Sequence, residues 1–147
     1  MKTFSKLINT VFILTVTVFA SKAQAPTNQD CPNAIPICNT TYSTVISYSG
    51  TGNIPNEINS GSSCLLSGER NDVWYTFTTP FFGNLNFTIT PNNPADDYDW
   101  AVYNLTTATC ADIFTNPSIE VSCNYAPNLG CNGTTGPNNQ TAGPCGG

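Results

Sequence analysis

The sequence contains no histidine. Serine, cysteine and zinc hydrolases in their usual forms depend on imidazole as base or ligand, so those arrangements are absent. Bases are nearly as scarce: Lys and Arg together number 4 against 9 Asp and Glu, a net charge of −5. Three of the four are Lys2, Lys6 and Lys22, within a stretch that reads as an export signal. Residues 7–20 form a 14-residue run with ten apolar members, and Ser21-Lys22-Ala23 supplies the small residues that signal peptidase reads, so cleavage is expected before Gln24. The run is shorter than the ~20 apolar residues a membrane span requires. No second long apolar run occurs, so no membrane insertion is expected after cleavage. The mature chain would keep nine acids and one base, Arg70, a net charge of −8. That charge repels phosphate backbones and argues against nucleic-acid binding. With one arginine and no mature lysine, little remains for phosphoryl transfer or Schiff-base chemistry, and a non-catalytic protein is expected.

Helical periodicity is also missing, whereas strand-like alternation is plain. In residues 72–79, Val73, Tyr75 and Phe77 alternate with Trp74, Thr76 and Thr78; in residues 84–90, Leu85, Phe87 and Ile89 alternate with Asn86, Thr88 and Thr90. Residues 98–104 place Trp100 and Val102 on one side, and further short strands are expected at 42–48 and 119–122. Turns rich in Gly, Pro and Asn separate these runs. The pattern predicts an all-β fold, an antiparallel sandwich with a core of Val73, Tyr75, Phe77, Leu85, Phe87, Ile89, Trp100 and Val102. About five strands are legible, whereas a jelly roll closes with about eight. In residues 124–147, fourteen of 24 are Gly, Asn or Pro, so residues 125–147 read as a loop or tail, and the sandwich is expected to be incomplete at its C-terminus. The expected organisation is a signal peptide over 1–23, a sandwich module over 24–124 and that tail.

All 7 cysteines follow the signal, and in an exported chain they read as disulfides, with one left over. Cys110–Cys123, closing a short loop, is the expected pair, and Cys131–Cys145 would staple the tail. Cys31, Cys38 and Cys64 stay unassigned. Zinc is disfavoured because no CxxC pair accompanies the missing histidine.

The concentrated chemistry lies in residues 94–104. Asn92, Asn93, Asp96, Asp97 and Asp99 place oxygen donors within eight residues, and Asp72 or Glu69 could add another. Calcium takes six to eight such oxygens, so these residues are the candidate site. The other reading is a solvated acidic turn whose Asp side chains cap backbone N–H groups. Trp74, Tyr75, Phe77, Phe87, Trp100 and Tyr103 could line a sugar-binding face, although period-2 aromatics are more often core. Five N-x-Ser/Thr sequons, at Asn39, Asn86, Asn104, Asn132 and Asn139, follow from the Asn- and Thr-rich composition.

Asp30-Cys-Pro-Asn-Ala-Ile-Pro-Ile-Cys38, Asn71-Asp-Val-Trp-Tyr-Thr-Phe77 and the run from Gly83 to Asn104 together resemble an N-terminal module of large secreted Bacteroidetes proteins. Those proteins end in a type IX secretion sorting domain of the gliding-motility type. The resemblance implies a CUB-like or jelly-roll module of adhesin-like proteins, secreted or at the outer cell surface, with an extracellular protein or polysaccharide as ligand. No sorting domain is recognisable in this sequence, and without one a periplasmic location is expected. A carbohydrate-binding accessory module of a secreted hydrolase and a structural spacer are the other readings. Asp97-Tyr-Asp-Trp-Ala-Val-Tyr103 is also similar to the middle of CUB domains, where an Asp before a core strand helps hold calcium; that likeness implies Asp99 as a ligand.

Overall fold

A computed structural model describes residues 27–66, 68–127 and 133–137. The expected signal peptide and the expected Cys131–Cys145 pair lie outside the described residues. Within them the chain is mostly β, with short strands in two small sheets and helical structure limited to three-residue 3-10 turns.

Proline positions two of those turns. Cys31–Asn33 and Pro117–Ile119 each carry Pro in the first turn, where its missing N–H would have had no partner. The third, Cys110–Asp112, is closed by Asp112 Oδ2, which accepts from the Thr109 N–H and hydroxyl, both at 2.8 Å.

Strand β1 (Ile35–Pro36) pairs in parallel with β2 (Tyr75–Thr76). The Ile35 and Ile37 N–H groups donate to Trp74 O and Thr76 O, each at 2.8 Å. Pro36 falls between these two donors, where its lack of an N–H removes no bond from the pair. Strand β3 (Trp100–Tyr103) pairs antiparallel with β4 (Glu120–Asn124) from Trp100↔Asn124 to Tyr103↔Glu120, with an irregularity between Val102 and Tyr103. The first sheet thus departs from the antiparallel expectation; the second follows it. Among the described residues, the alternating run at 84–90 is paired only at Ile89, in an isolated bridge to Thr135, and residues 42–48 form no regular strand. Alternation supplies an amphipathic face, but a strand also needs a neighbour for its backbone groups.

Residues 133–137 fold back despite their turn-like composition. Thr135 is buried, and its hydroxyl accepts from Trp100 Nε1 at 2.9 Å and Asn124 Nδ2 at 3.0 Å. Trp100 also meets Phe87 edge-on, with ring centroids 5.0 Å apart.

The core only partly follows the expected set. Cys31, Ile113 and Ile119 form a buried cluster, with Trp74, Tyr103, Leu105, Ala108 and Cys110 packed against it. Trp100 is buried as expected, but Tyr75, Phe77 and Leu85 remain 39%, 44% and 37% exposed. The strand 72–79 is therefore turned over: Trp74 packs inward against Tyr103, and its neighbour Tyr75 faces outward. The expected Cys110–Cys123 pair is corrected. Cys110 bonds to Cys31 and Cys123 bonds to Cys64, with Cα separations of 5.7 and 6.2 Å. Cys110 sits on the turn packed over the N-terminal segment, while Cys123 lies on β4 beside the 63–65 turn. Cys38 is a free, exposed thiol.

Candidate functional site

Two positive-φ residues shape the main polar site. Gly68 (φ +68°) and Asn71 (φ 50°) bend the chain around Glu69, and Asn71 clasps Gly50. The Asn71 N–H donates to Gly50 O at 2.7 Å, and the Gly50 N–H donates to Asn71 Oδ1 at 2.9 Å. This clasp docks the 50–57 loop against the 69–72 turn and gathers four acids: Asp30, Glu57, Glu69 and Asp72.

Asp30 is 0% exposed. Its Oδ1 accepts from the Asn53 and Ile54 N–H groups at 2.8 and 2.6 Å, and its Oδ2 from the Thr27 N–H and, at 2.8 Å, the Thr27 hydroxyl. Gly52 is required beside it: its φ is +69°, and a Cβ there would lie 2.5 Å from Asp30 Oδ1. Burial opposes the Asp30 charge, but the Thr27, Ile54 and Asn53 donors outweigh it and hold the carboxyl below its usual range. Glu57 accepts from the Cys31 N–H with both oxygens, at 3.2 and 3.0 Å, and its own N–H donates to Glu69 Oε2 at 2.9 Å. Each acid thus anchors a backbone amide of the next segment.

Donors run out at the inner end of this relay. Glu69 Oε1, both Asp72 carboxylate oxygens and Trp74 Nε1 are enclosed without a hydrogen-bond partner of ordinary geometry. Glu57 and Glu69 are each 7% exposed, and Arg70, the only base among the described residues, points to solvent. Burial pushes Glu57 upward, and the charges of Asp30 and Asp72 add to it. Glu69 is raised to about 7, by burial first and then by the Asp72 and Glu57 charges. Asp72 is raised by burial, with the Asp30 charge adding and the nearby Trp74 indole opposing.

The fold thus brings Glu69 and Asp72 together. Asp96, Asp97 and Asp99 lie on an exposed loop. There Asn93 organises an Asx turn, its Oδ1 accepting from the Ala95 N–H at 3.1 Å and its Nδ2 donating to Asp96 Oδ1 at 3.2 Å. The Asp99 carboxyl is raised by partial burial and by the Asp97 charge. Asp30 and Glu57 were not singled out from the sequence. Their signal was faint: in a chain so poor in charge, each is an isolated acid beside turn residues whose amides need acceptors.

A second polar group lies at Cys64, Glu120 and Cys123. Both sulfurs are joined in the disulfide and offer no thiolate. Glu120 Oε1 accepts from the Cys64 N–H at 3.3 Å, while Glu120 Oε2 and the Tyr103 hydroxyl are enclosed without a partner. Burial raises the Tyr103 phenol to about 12, and the Glu120 charge adds to the effect.

An aromatic surface lies beside β2. Tyr42 and Tyr75 meet with ring centroids 5.5 Å apart and planes at 66°. Tyr42, Tyr75 and Tyr98 are 47%, 39% and 45% exposed. Partial burial raises the Tyr75 phenol, and Tyr42, Tyr48 and Tyr98 contribute in that order, which places these three within electrostatic reach of Tyr75.

No protein-family model matches the chain, and no curated protein or solved structure matches it.

Proposed function

We propose that the chain is a non-catalytic binding or adhesion module of a secreted or cell-surface protein, built as a CUB-like or jelly-roll β-sandwich. On this reading it is kin to the N-terminal modules of Bacteroidetes proteins exported by type IX secretion. The exposed tyrosine group Tyr42, Tyr75 and Tyr98 carries the proposal. Tyrosine presents a large, rigid, amphipathic contact area at low entropic loss, which is why it is enriched in binding surfaces. The two disulfides fit an oxidising compartment. The ligand surface we favour is an extracellular protein. Tyr42 and Tyr75 meet at 66° and do not form the flat platform on which a sugar chain would lie.

The test is binding of the purified, disulfide-intact chain to arrayed extracellular proteins and polysaccharides, beside Tyr75→Ala. The expected result is binding to a protein, weakened about tenfold in the variant, as for a truncated aromatic contact. Binding confined to polysaccharides would favour the carbohydrate-binding accessory module. Equal binding by wild type and variant would remove the tyrosine surface from the proposal, and binding to nothing would favour a structural spacer.

A further inference from the structure

The geometry points to a divalent-cation site, calcium by its donor chemistry, formed by Glu69 and Asp72 behind the Glu57–Glu69 relay. Three carboxylate oxygens, Glu69 Oε1 and Asp72 Oδ1 and Oδ2, are enclosed without a hydrogen bond of ordinary geometry: the two carboxyls face each other, and the Trp74 indole beside Asp72 is itself unsatisfied. Glu69 is 7% exposed and Asp72 half-buried, and all three atoms are shielded from bulk solvent. Buried carboxylates without a partner are strongly unfavourable and must either acquire a counter-charge or take up a proton. The neighbouring amide donors are already used, Asn53, Ile54 and Thr27 on Asp30, Cys31 on Glu57, and the Glu57 amide on Glu69 Oε2, which leaves one neutral indole N–H, that of Trp74, beside two carboxyls. Among the described residues, other regions lack this combination. The Cys64–Glu120–Cys123 group has its sulfurs tied in a disulfide, and the 96–99 loop is exposed, with Asn93 bonded to Asp96.

The donor type selects the ion. All three free atoms are hard anionic oxygens, and calcium accepts carboxylates together with carbonyls and water in a flexible shell. Magnesium demands a rigid octahedron and sheds water reluctantly, so it fits an enclosed carboxylate pair less well. A cation here would tie the 69–72 turn to Glu57, and through Glu57 to Cys31 at the edge of the core. This site is independent of the tyrosine surface, so failure of either leaves the other standing.

Competing occupancy by a proton gives the test its second arm. The titratable groups around the site are Asp30, Glu57, Glu69 and Asp72, and no base faces them. A cation requires the carboxylates ionised, so calcium stabilisation should grow as pH rises from 5.5 to 8. Proton sharing predicts no calcium effect and a loss of stability over the same rise.

The disulfide-intact chain is melted at pH 5.5 and 8 in millimolar calcium, in magnesium and in chelator, with Glu69→Gln and Asp99→Asn alongside. Calcium is expected to raise the wild-type midpoint by about 5 °C or more at pH 8 and by less at pH 5.5. Magnesium should do less, Glu69→Gln should abolish the shift, and Asp99→Asn should retain it. Terbium provides a readout that does not depend on the fold of the Glu69 variant. Bound beside Trp74, it should show indole-sensitised emission in wild type that is lost in Trp74→Phe. A calcium-independent wild-type midpoint would overturn the site. So would a shift kept in Glu69→Gln, a shift lost in Asp99→Asn, or terbium emission that survives Trp74→Phe.

Discussion

Asp30 keeps a full charge where no solvent reaches it because donors from two segments converge on its two oxygens. Asn at this position could accept with one oxygen only, and its amide would face N–H groups that it cannot bond. Asp30→Asn should therefore cost about 3 kcal/mol, measured by urea unfolding at pH 7. The carboxyl is held below its ordinary 3.8, so it contributes stability above that pH, and the contribution is lost as pH falls through the lower folded value. Asp30→Asn should flatten this acid limb. Glu69 behaves oppositely. Its carboxyl rises from 4.5 to about 7, so the folded chain holds the proton more tightly, and without a cation stability falls as pH rises across that window. The chelated wild-type chain should thus be most stable near pH 4.5, between the two limbs. A chelated profile that climbs steadily from pH 4 to 8 would contradict the assignment of Glu69.

The elements show where the sequence was legible and where it was not. β3 and β4 were readable because Trp100 and Val102 lie on one side of an alternating run and the partner strand follows after a turn. β2 was readable as a strand but not in its facing. Val73, Trp74, Tyr75 and Phe77 put apolar or amphipathic groups at both parities, and tyrosine tolerates either face because its hydroxyl can reach water. The disulfide from Cys31 brings the N-terminal segment over Trp74, and packing of Cys31, Ile113 and Tyr103 then decides which face is buried. Trp74→Ala should accordingly cost about 3 kcal/mol or more. Phe77→Ala, at a position 44% exposed, should cost less than about 1 kcal/mol. Chemical denaturation of the two variants side by side tests the inversion, and equal losses would restore the alternating face as the core.

Across the whole molecule, links of long sequence separation hold short elements together. The Cys31–Cys110 and Cys64–Cys123 bridges span 79 and 59 residues, and they interlock, since Cys64 lies inside the first loop and Cys123 outside it. The acid relay is equally non-local: Cys31 to Glu57 spans 26 positions and Glu57 to Glu69 spans 12. Such contacts leave no mark in a local pattern, so the sequence suggested the short-loop pair Cys110–Cys123 and the densest acidic run, while the fold joined distant cysteines and scattered acids. Among the described residues the buried apolar set is small, Cys31, Ile58, Leu65, Trp100, Ile113 and Ile119, so a large share of stability should rest on the cross-links. In the chain-entropy view each bridge of this span contributes about 4 kcal/mol by restricting the unfolded chain. Digestion without reduction should release linked peptides carrying Cys31 with Cys110 and Cys64 with Cys123. Cys31→Ala with Cys110→Ala should lower the unfolding free energy by about that amount, whereas Cys38→Ala, which removes an exposed free thiol, should leave it within about 0.5 kcal/mol. A peptide linking Cys110 to Cys123 would overturn this connectivity. It would also undo the packing of Trp74, because the N-terminal segment would lose the covalent tie that places Cys31 in the core.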